Sequence, residues 1–251
     1  PPATMQAAAP MPAEGGVRVD TGVYEGGEIP MYYDSMIAKL IVHGVTRDDA
    51  ITKMREALNA FVIRGVSSNI PFQAALLAHP KFVAGDFNTG FIAEHYGHGF
   101  RAEDVPHEDP DFLVALAAAA YRRYLERAAG ISGQLAGHRV VIGSEFVVVV
   151  KGEKGEHTYV PVSVTVEGAT TVTVGGRHYA VANDWLFGGI RACGTCNGWP
   201  FTAQAERHGV WLRVEHNGLR IDAQVMSARA AELLRVMPFK TPLDMSRFLL
   251  S

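Results

Sequence analysis

The chain is poor in cysteine, holding only Cys193 and Cys196 in 251 residues. Together they make one C-x-x-C. Structural zinc needs four ligands, from a second such pair or from histidines at set spacing, and neither is present. The pair sits just ahead of Asn197-Gly198 in what reads as a strand. Residues three apart on a strand point to opposite faces, which suits neither chelation nor a disulfide. Two free thiols fit a reducing cytosol or mitochondrial matrix. Long apolar runs are also lacking: none reaches the ~18 residues that cross a bilayer. Residues 1–16 carry no basic region followed by an apolar block, so they do not read as a signal peptide. Charge of one sign is scarce as well. A formal net charge of -3 leaves no basic footprint for nucleic acid. No Walker-type glycine loop, no G-x-S-x-G and no metal-ligand spacing occurs.

What is present is enough apolar material for one or two ordinary cores, at 48% hydrophobic and 20% charged residues. Residues 1–16 are rich in Pro, Ala and Gly and read as a loop, so the true N-terminus is expected elsewhere. Residues 17–23 and 29–33 are short strand candidates around the turn Glu25-Gly26-Gly27. Residues 36–43 read as a buried strand ended by Gly44. Thr46 then looks like a helix N-cap, with Asp48 and Asp49 in the first turn where negative charge suits the macrodipole. Ala50, Ile51, Met54, Ala57, Leu58, Phe61 and Val62 follow at steps of three and four, one apolar helical face. A second helix is expected over 70–78, with Pro71 in its first turn and His79-Pro80 ending it. A third, short one is expected over 89–96.

Residues 98–109 are polar and read as a linker between domains. Asp109-Pro110-Asp111 is a helix start, a capping residue followed by proline. The helix over 110–129 is apolar around much of its circumference, through Phe112, Leu113, Leu116, Ala119, Ala120, Tyr124 and Leu125. Such a helix is normally surrounded by other structure. From His138 to Met226 the period drops to two, as in Val160, Val162, Val164 and Val166. Turn signals recur about every 10 residues, including Asn197-Gly198 and Asn217-Gly218, which favour two-residue hairpins. The pattern predicts an antiparallel meander closed into a sandwich or barrel. The economical packing places the long helix inside that curved sheet. A short helix over 228–234 and a tail to Ser251 end the chain.

The residues by themselves offer little chemistry. Gly26-Gly27 reads first as a turn. His95 and His98 read as solvated surface histidines. Tyr32-Tyr33-Asp34 is either a binding site at a strand end or a core tyrosine with a capping aspartate. Arg18 stands between Val17 and Val19 on a strand, where the plainer reading is an outward-facing partner for a carboxylate.

A resemblance adds to this. Residues 16–40, GVRVDTGVYEGGEIPMYYDSMIAKL, resemble the C-terminal part of the biotin carboxylase family. The likeness continues through IVHGVTRDDAITKMREALNAFVIRGVSSNIPF, and GDFNTGFI fits the end of that domain. The tail VMPFKTPLDMSRFLLS resembles the region just before the biotin attachment domain of propionyl-CoA carboxylase α subunits. The helix and meander between them look like the domain by which those subunits contact their carboxyltransferase partner. The resemblance implies that Arg18 faces the active site and stabilises the biotin enolate while carboxybiotin forms. It also implies ATP, Mg2+ and bicarbonate as reactants of the intact subunit, and a carboxyltransferase β subunit as partner.

The family's nucleotide lid, magnesium-binding glutamates and catalytic base precede this segment, and its biotinyl lysine motif follows it. The expectation is therefore a fragment that binds no cofactor or metal of its own and is inactive alone. Its fold is expected to be α+β: the end of a carboxylase domain over 1–97, a linker over 98–109, a helix-in-barrel assembly domain over 110–236, and a tail over 237–251. Methylcrotonyl-CoA or another acyl-CoA carboxylase, or a non-catalytic interaction module, are the other readings. Cytoplasm is expected in a bacterium and the matrix in a eukaryote.

Overall fold

A computed structural model describes residues 16–22, 36–101, 104–106, 108–135, 137–138, 140–152 and 155–237. Strands β1 (Gly16–Thr21) and β2 (Ala38–His43) pair antiparallel, with Arg18 opposite Ile41. The expected strand over 29–33, the turn at Gly26-Gly27 and the Tyr32-Tyr33-Asp34 group lie outside the described residues. Strand β2 is shorter than expected and half-buried rather than buried. The sheet has two strands among the described residues, and the helix that follows packs against it.

That helix, α1 (Arg47–Ala60), begins as expected. The Thr46 hydroxyl accepts the N–H of Asp49 at 3.2 Å, satisfying one of the orphan donors at a helix start. Asp49 in turn accepts from the Val45 N–H and from Lys53, both at 2.8 Å. Gly44 precedes the cap because a Cβ there would strike the backbone of Ala50. Helix α2 (Ile70–Ala78) has the expected bounds, with Pro71 in its first turn. His79-Pro80, expected only as a stop, also starts a short helix, α3 (Pro80–Ala84). The His79 ring accepts the Lys81 N–H at 3.3 Å, and Pro80 supplies a preset φ at the first helical position. Helix α4 (Phe91–Tyr96) follows.

Helix α5 (Asp111–Ala129) is the long apolar one. Its start is not capped as expected. The Asp109 carboxylate is taken by the Tyr179 hydroxyl at 2.9 and 3.0 Å and by Arg177 at 2.9 Å, and no side chain caps the helix. Residues 112–120 are all buried, nine consecutive positions covering every side of the helix. The second half, from Tyr121 onward, is only partly buried. After Gly130 the Gln134 amide folds back to donate to the carbonyls of Ala129 and Ile131.

Eight strands then form one antiparallel sheet: β3 (Glu145–Lys151), β4 (His157–Glu167), β5 (Ala169–Val174), β6 (Arg177–Asn183), β7 (Arg191–Cys196), β8 (Trp199–His208), β9 (Trp211–His216) and β10 (Leu219–Met226). Each pairs with its successor and β10 pairs back with β3, so the hydrogen bonding closes into a ring. Closure removes the free edges that an open sheet would present. Inward side chains fall in register, with Val162 opposite Val174, Val164 opposite Val172, and Val172 opposite Tyr179. These, with Leu212, Val214, Ala223 and Val225, join residues 112–120 in one core. Val166 does not follow the alternation inward and is exposed beside the turn at Gly168. Asn197 and Asn217 take positive φ of 52° and 49° ahead of glycines, as a two-residue hairpin turn requires. Helix α6 (Ala228–Val236), capped by Ser227, closes a small second cluster with Val149 and Met226.

Leu116 is 4% exposed in the middle of that core. Leu116→Asp would bury an unpaired carboxylate, at a cost of several kcal/mol. Thermal or denaturant unfolding should show the ring-closed body lost at a lower temperature or denaturant concentration than in the native chain.

Candidate functional site

Two places merit a chemical reading. The first is Arg18 on β1. Its Nη2 donates to Asp20 Oδ2 at 3.2 Å, and both side chains are about a third exposed. Residues two apart share a strand face, so Arg18 and Asp20 stand together on one side. Val17 and Val19 occupy the other, 54% and 44% exposed. The carboxylate partner anticipated for Arg18 is thus its own strand neighbour. Arg18 Nε is buried and has no hydrogen-bond partner among the described residues. A guanidinium stays charged at any physiological pH and offers five donors in a fixed fork, so this one has donor capacity left for an anionic ligand.

The second place is the junction between α1 and the outer face of the ring. Strand register there builds a row of alternating charge: Glu206 opposite Arg213, Arg213 opposite Asp222, Asp222 opposite Lys151. Arg213 binds Asp222 at 2.9 Å. Arg64 reaches in from beyond α1 to Glu206 at 2.9 Å, to Gln204 at 2.9 Å and to Glu215 at 3.9 Å. Burial alone would raise the Glu206 carboxyl, but Arg64 beside it, with His208, holds it below the usual range. A cleft of about 750 Å³ runs along this junction, lined by Arg64, Ser67, Lys151, Gln204, Arg213 and Glu215 among others. None of these residues stood out in the sequence, because isolated polar residues on strands and loops read as solvated.

The cysteines occupy β7, as anticipated, on opposite faces and unpaired. Cys196 packs against the ring core, and burial, helped by the charge of Asp109, pushes its thiol up. Cys193 lies 3.7 Å from the Thr202 hydroxyl. His98 is exposed, as its sequence suggested, but His95 is not. Its ring is tucked against Phe91 and His79, with centroids 4.7 and 4.5 Å apart. Periodicity missed this because α4 is too short to display a face. Among the described residues no group of three or more His, Cys, Asp or Glu is placed to hold a metal ion. No helix among them is long and apolar enough to cross a membrane.

The geometry defines a class before it defines a family: a two-stranded and helical portion carrying one donor-rich arginine, joined to a ring-closed sheet that buries a helix. Residues 5–94 match the model of the biotin carboxylase C-terminal domain, and residues 113–240 match that of the propionyl-coenzyme A carboxylase BT domain. The chain is 39% identical over 239 residues to the propionyl-CoA carboxylase alpha chain of Ruegeria pomeroyi, covering 94% of this chain and 34% of that one. It is 32% identical over 248 residues to the mitochondrial propionyl-CoA carboxylase alpha chain of Caenorhabditis elegans, with the same coverage of each. Its first part is 57% identical over 77 residues to biotin carboxylase 1 of Bacillus subtilis, covering 31% of this chain and 17% of that one. These are biotin-dependent carboxylases. The chain belongs to the propionyl-CoA carboxylase alpha-chain family, and spans about a third of the length of the alpha chains it matches.

Tyr179 gives this half a pH signature. Burial first, and then its bond to Asp109, raise its phenol above the ordinary value. The unfolded phenol ionises near pH ~10 while the folded one stays protonated. Its contribution is therefore complete below that pH and is lost as pH rises further. Melting curves from pH 8 to 11 should fall more steeply for the native chain than for Tyr179→Phe. The variant itself should be weaker by about 1 to 3 kcal/mol at neutral pH, through the lost bond.

Proposed function

We propose that the chain is the segment of a propionyl-CoA carboxylase α subunit that runs from the end of the carboxylase domain through the assembly domain. Residues 1–97 complete the carboxylase domain, 98–109 link, 110–236 form a barrel sheathing its central helix, and 237–251 lead toward a biotin carrier domain. The observation that carries this reading is co-linearity. Both halves match, in the same order, within single alpha chains of relatives over 94% of this sequence.

In the intact subunit, bicarbonate and MgATP carboxylate biotin, whose ureido nitrogen carries the carboxyl group to a β subunit acting on propionyl-CoA. Arg18 holds a fixed positive charge where negative charge develops, the same logic as an oxyanion hole. Its spare Nε supports that role, since a buried donor left without a partner is costly unless something binds it. The barrel contacts the β subunit, with the link at 130–137 or neighbouring loops as the touching segment. Exposed Ile131 and Leu135 in that link suit such a contact. The setting is the cytoplasm in a bacterium or the matrix in a eukaryote.

Two outcomes test this. The 251-residue polypeptide should release no ADP in a bicarbonate-dependent way, and measurable turnover would refute the division of labour. In a full-length subunit, Arg18→Gln should lower biotin carboxylation by about one to three orders of magnitude with little change in melting temperature. Full activity in that variant would remove Arg18 from the site.

A further inference from the structure

The two halves of the chain meet through residues 140 to 158 positions apart in sequence. Asn59, in the last turn of α1, is 9% exposed, and Gln204, on the outer face of β8, is 4% exposed. Asn59 and Asn217 bond each other twice. The Asn59 amide donates to Asn217 Oδ1 at 2.9 Å, and the Asn217 backbone N–H donates to Asn59 Oδ1 at 2.7 Å. Gln204 donates to the carbonyls of Asn59 and Phe61 at 3.0 and 3.3 Å. Those carbonyls have no partner within a helix that is ending, so a ring strand caps α1. Gln204 then accepts from Arg64, whose guanidinium also holds Glu206. The hairpin tip itself is gripped. A Cβ on Gly218 would lie 2.7 Å from the Ala74 side chain, 3.3 Å from the Pro71 carbonyl and 3.3 Å from Val105.

We infer that Asn59, Arg64, Gln204 and Asn217 form a polar clasp that holds the ring on the α1–α2 portion as one rigid unit. The orientation of the two halves is then set by these contacts, with Val105 of the link packed at the hairpin tip beside them. Each buried amide finds its partners across the junction, so sliding or rotating the ring would leave several of them unsatisfied at once. The Arg64 pairs are about a third exposed and add little energy, but they fix register. The clasp stands on geometry alone. The reading above gives only its consequence, that a partner-binding ring is held at a set angle to the sheet carrying Arg18.

The test uses the 251-residue polypeptide and peptide-resolved hydrogen exchange, which needs no activity or partner. Asn59→Ala should speed exchange about tenfold in the peptide holding Asn217 and Gly218. The last turn of α1 should speed up by the same factor, because release of a clasp is one event seen from both sides. The middles of β4 and β5, far from the junction, should be unchanged. Asn217→Gly keeps the left-handed turn open to its backbone and repeats the test from the ring side. Arg64→Gln should give a smaller change in the same two peptides, reproduced in the native chain by high salt. Acceleration on one side only, or none on either, would overturn the clasp whatever the carboxylase assays show.

Discussion

Nine consecutive helical residues, 112–120, stand below a tenth of full exposure, and that burial constrains everything after them. A helix buried on one face can lie against a flat sheet. A helix buried on all sides needs partners around its whole circumference, and α5 contacts β3 to β6 and β8 to β10. Ala at 115 and at 117–120 lets strand side chains approach closely, while Phe112, Leu113 and Leu116 fill the wider gaps. Burying each of the larger side chains stabilises the fold by about 1.5 to 3 kcal/mol. The same helix therefore supplies the core that eight short strands could not build from their inward valines alone.

Closing the ring around α5 fixes what its outer face can be. Inward positions take the apolar residues of the core, while on the outer face β8, β9, β10 and β3 carry the alternating row from Glu206 to Lys151, apart from the apolar patch of Val149 and Met226 that α6 covers. The charged stretch offers a neighbour little hydrophobic burial. It can hold one in a defined register, through paired amides and a guanidinium. The chain thus carries Arg18 on a small two-stranded sheet in its first part and a ring built around α5 in its second. The first part matches the biotin carboxylase C-terminal domain and the second the propionyl-coenzyme A carboxylase BT domain.

Much of this fold was legible from the residues. The apolar stretch at 112–120, the ten-residue spacing of turns and the Thr46 cap each rest on local chemistry that periodicity reports. Helix α3 was missed because proline serves equally as a stop and as a first residue. Asp109 was misread because a carboxylate before a helix is normally its cap, and only the fold brings Tyr179 and Arg177 to it. The clasp was illegible for the same reason on a larger scale. Asn59 and Gln204 look like solvated residues until partners more than a hundred positions away bury them. Arg18 drew notice from its apolar neighbours, yet those valines face outward and the arginine inward, the reverse of what flanking valines suggest.

Dependence of the ring on its helix is the claim most open to direct measurement. Residues 108–237 and residues 140–237, each with Trp199→Phe and Trp211→Phe, would be produced separately and unfolded in denaturant, with Trp185 fluorescence as the probe. Trp185 is buried in the shared core and bonds the carbonyls of Gly189 and Ala205, so it reports packing there. The longer piece should unfold in one cooperative transition. The shorter should show none until a peptide spanning 108–130 is added in trans. A cooperative transition from residues 140–237 alone would show that the sheet closes without α5, and would contradict the account.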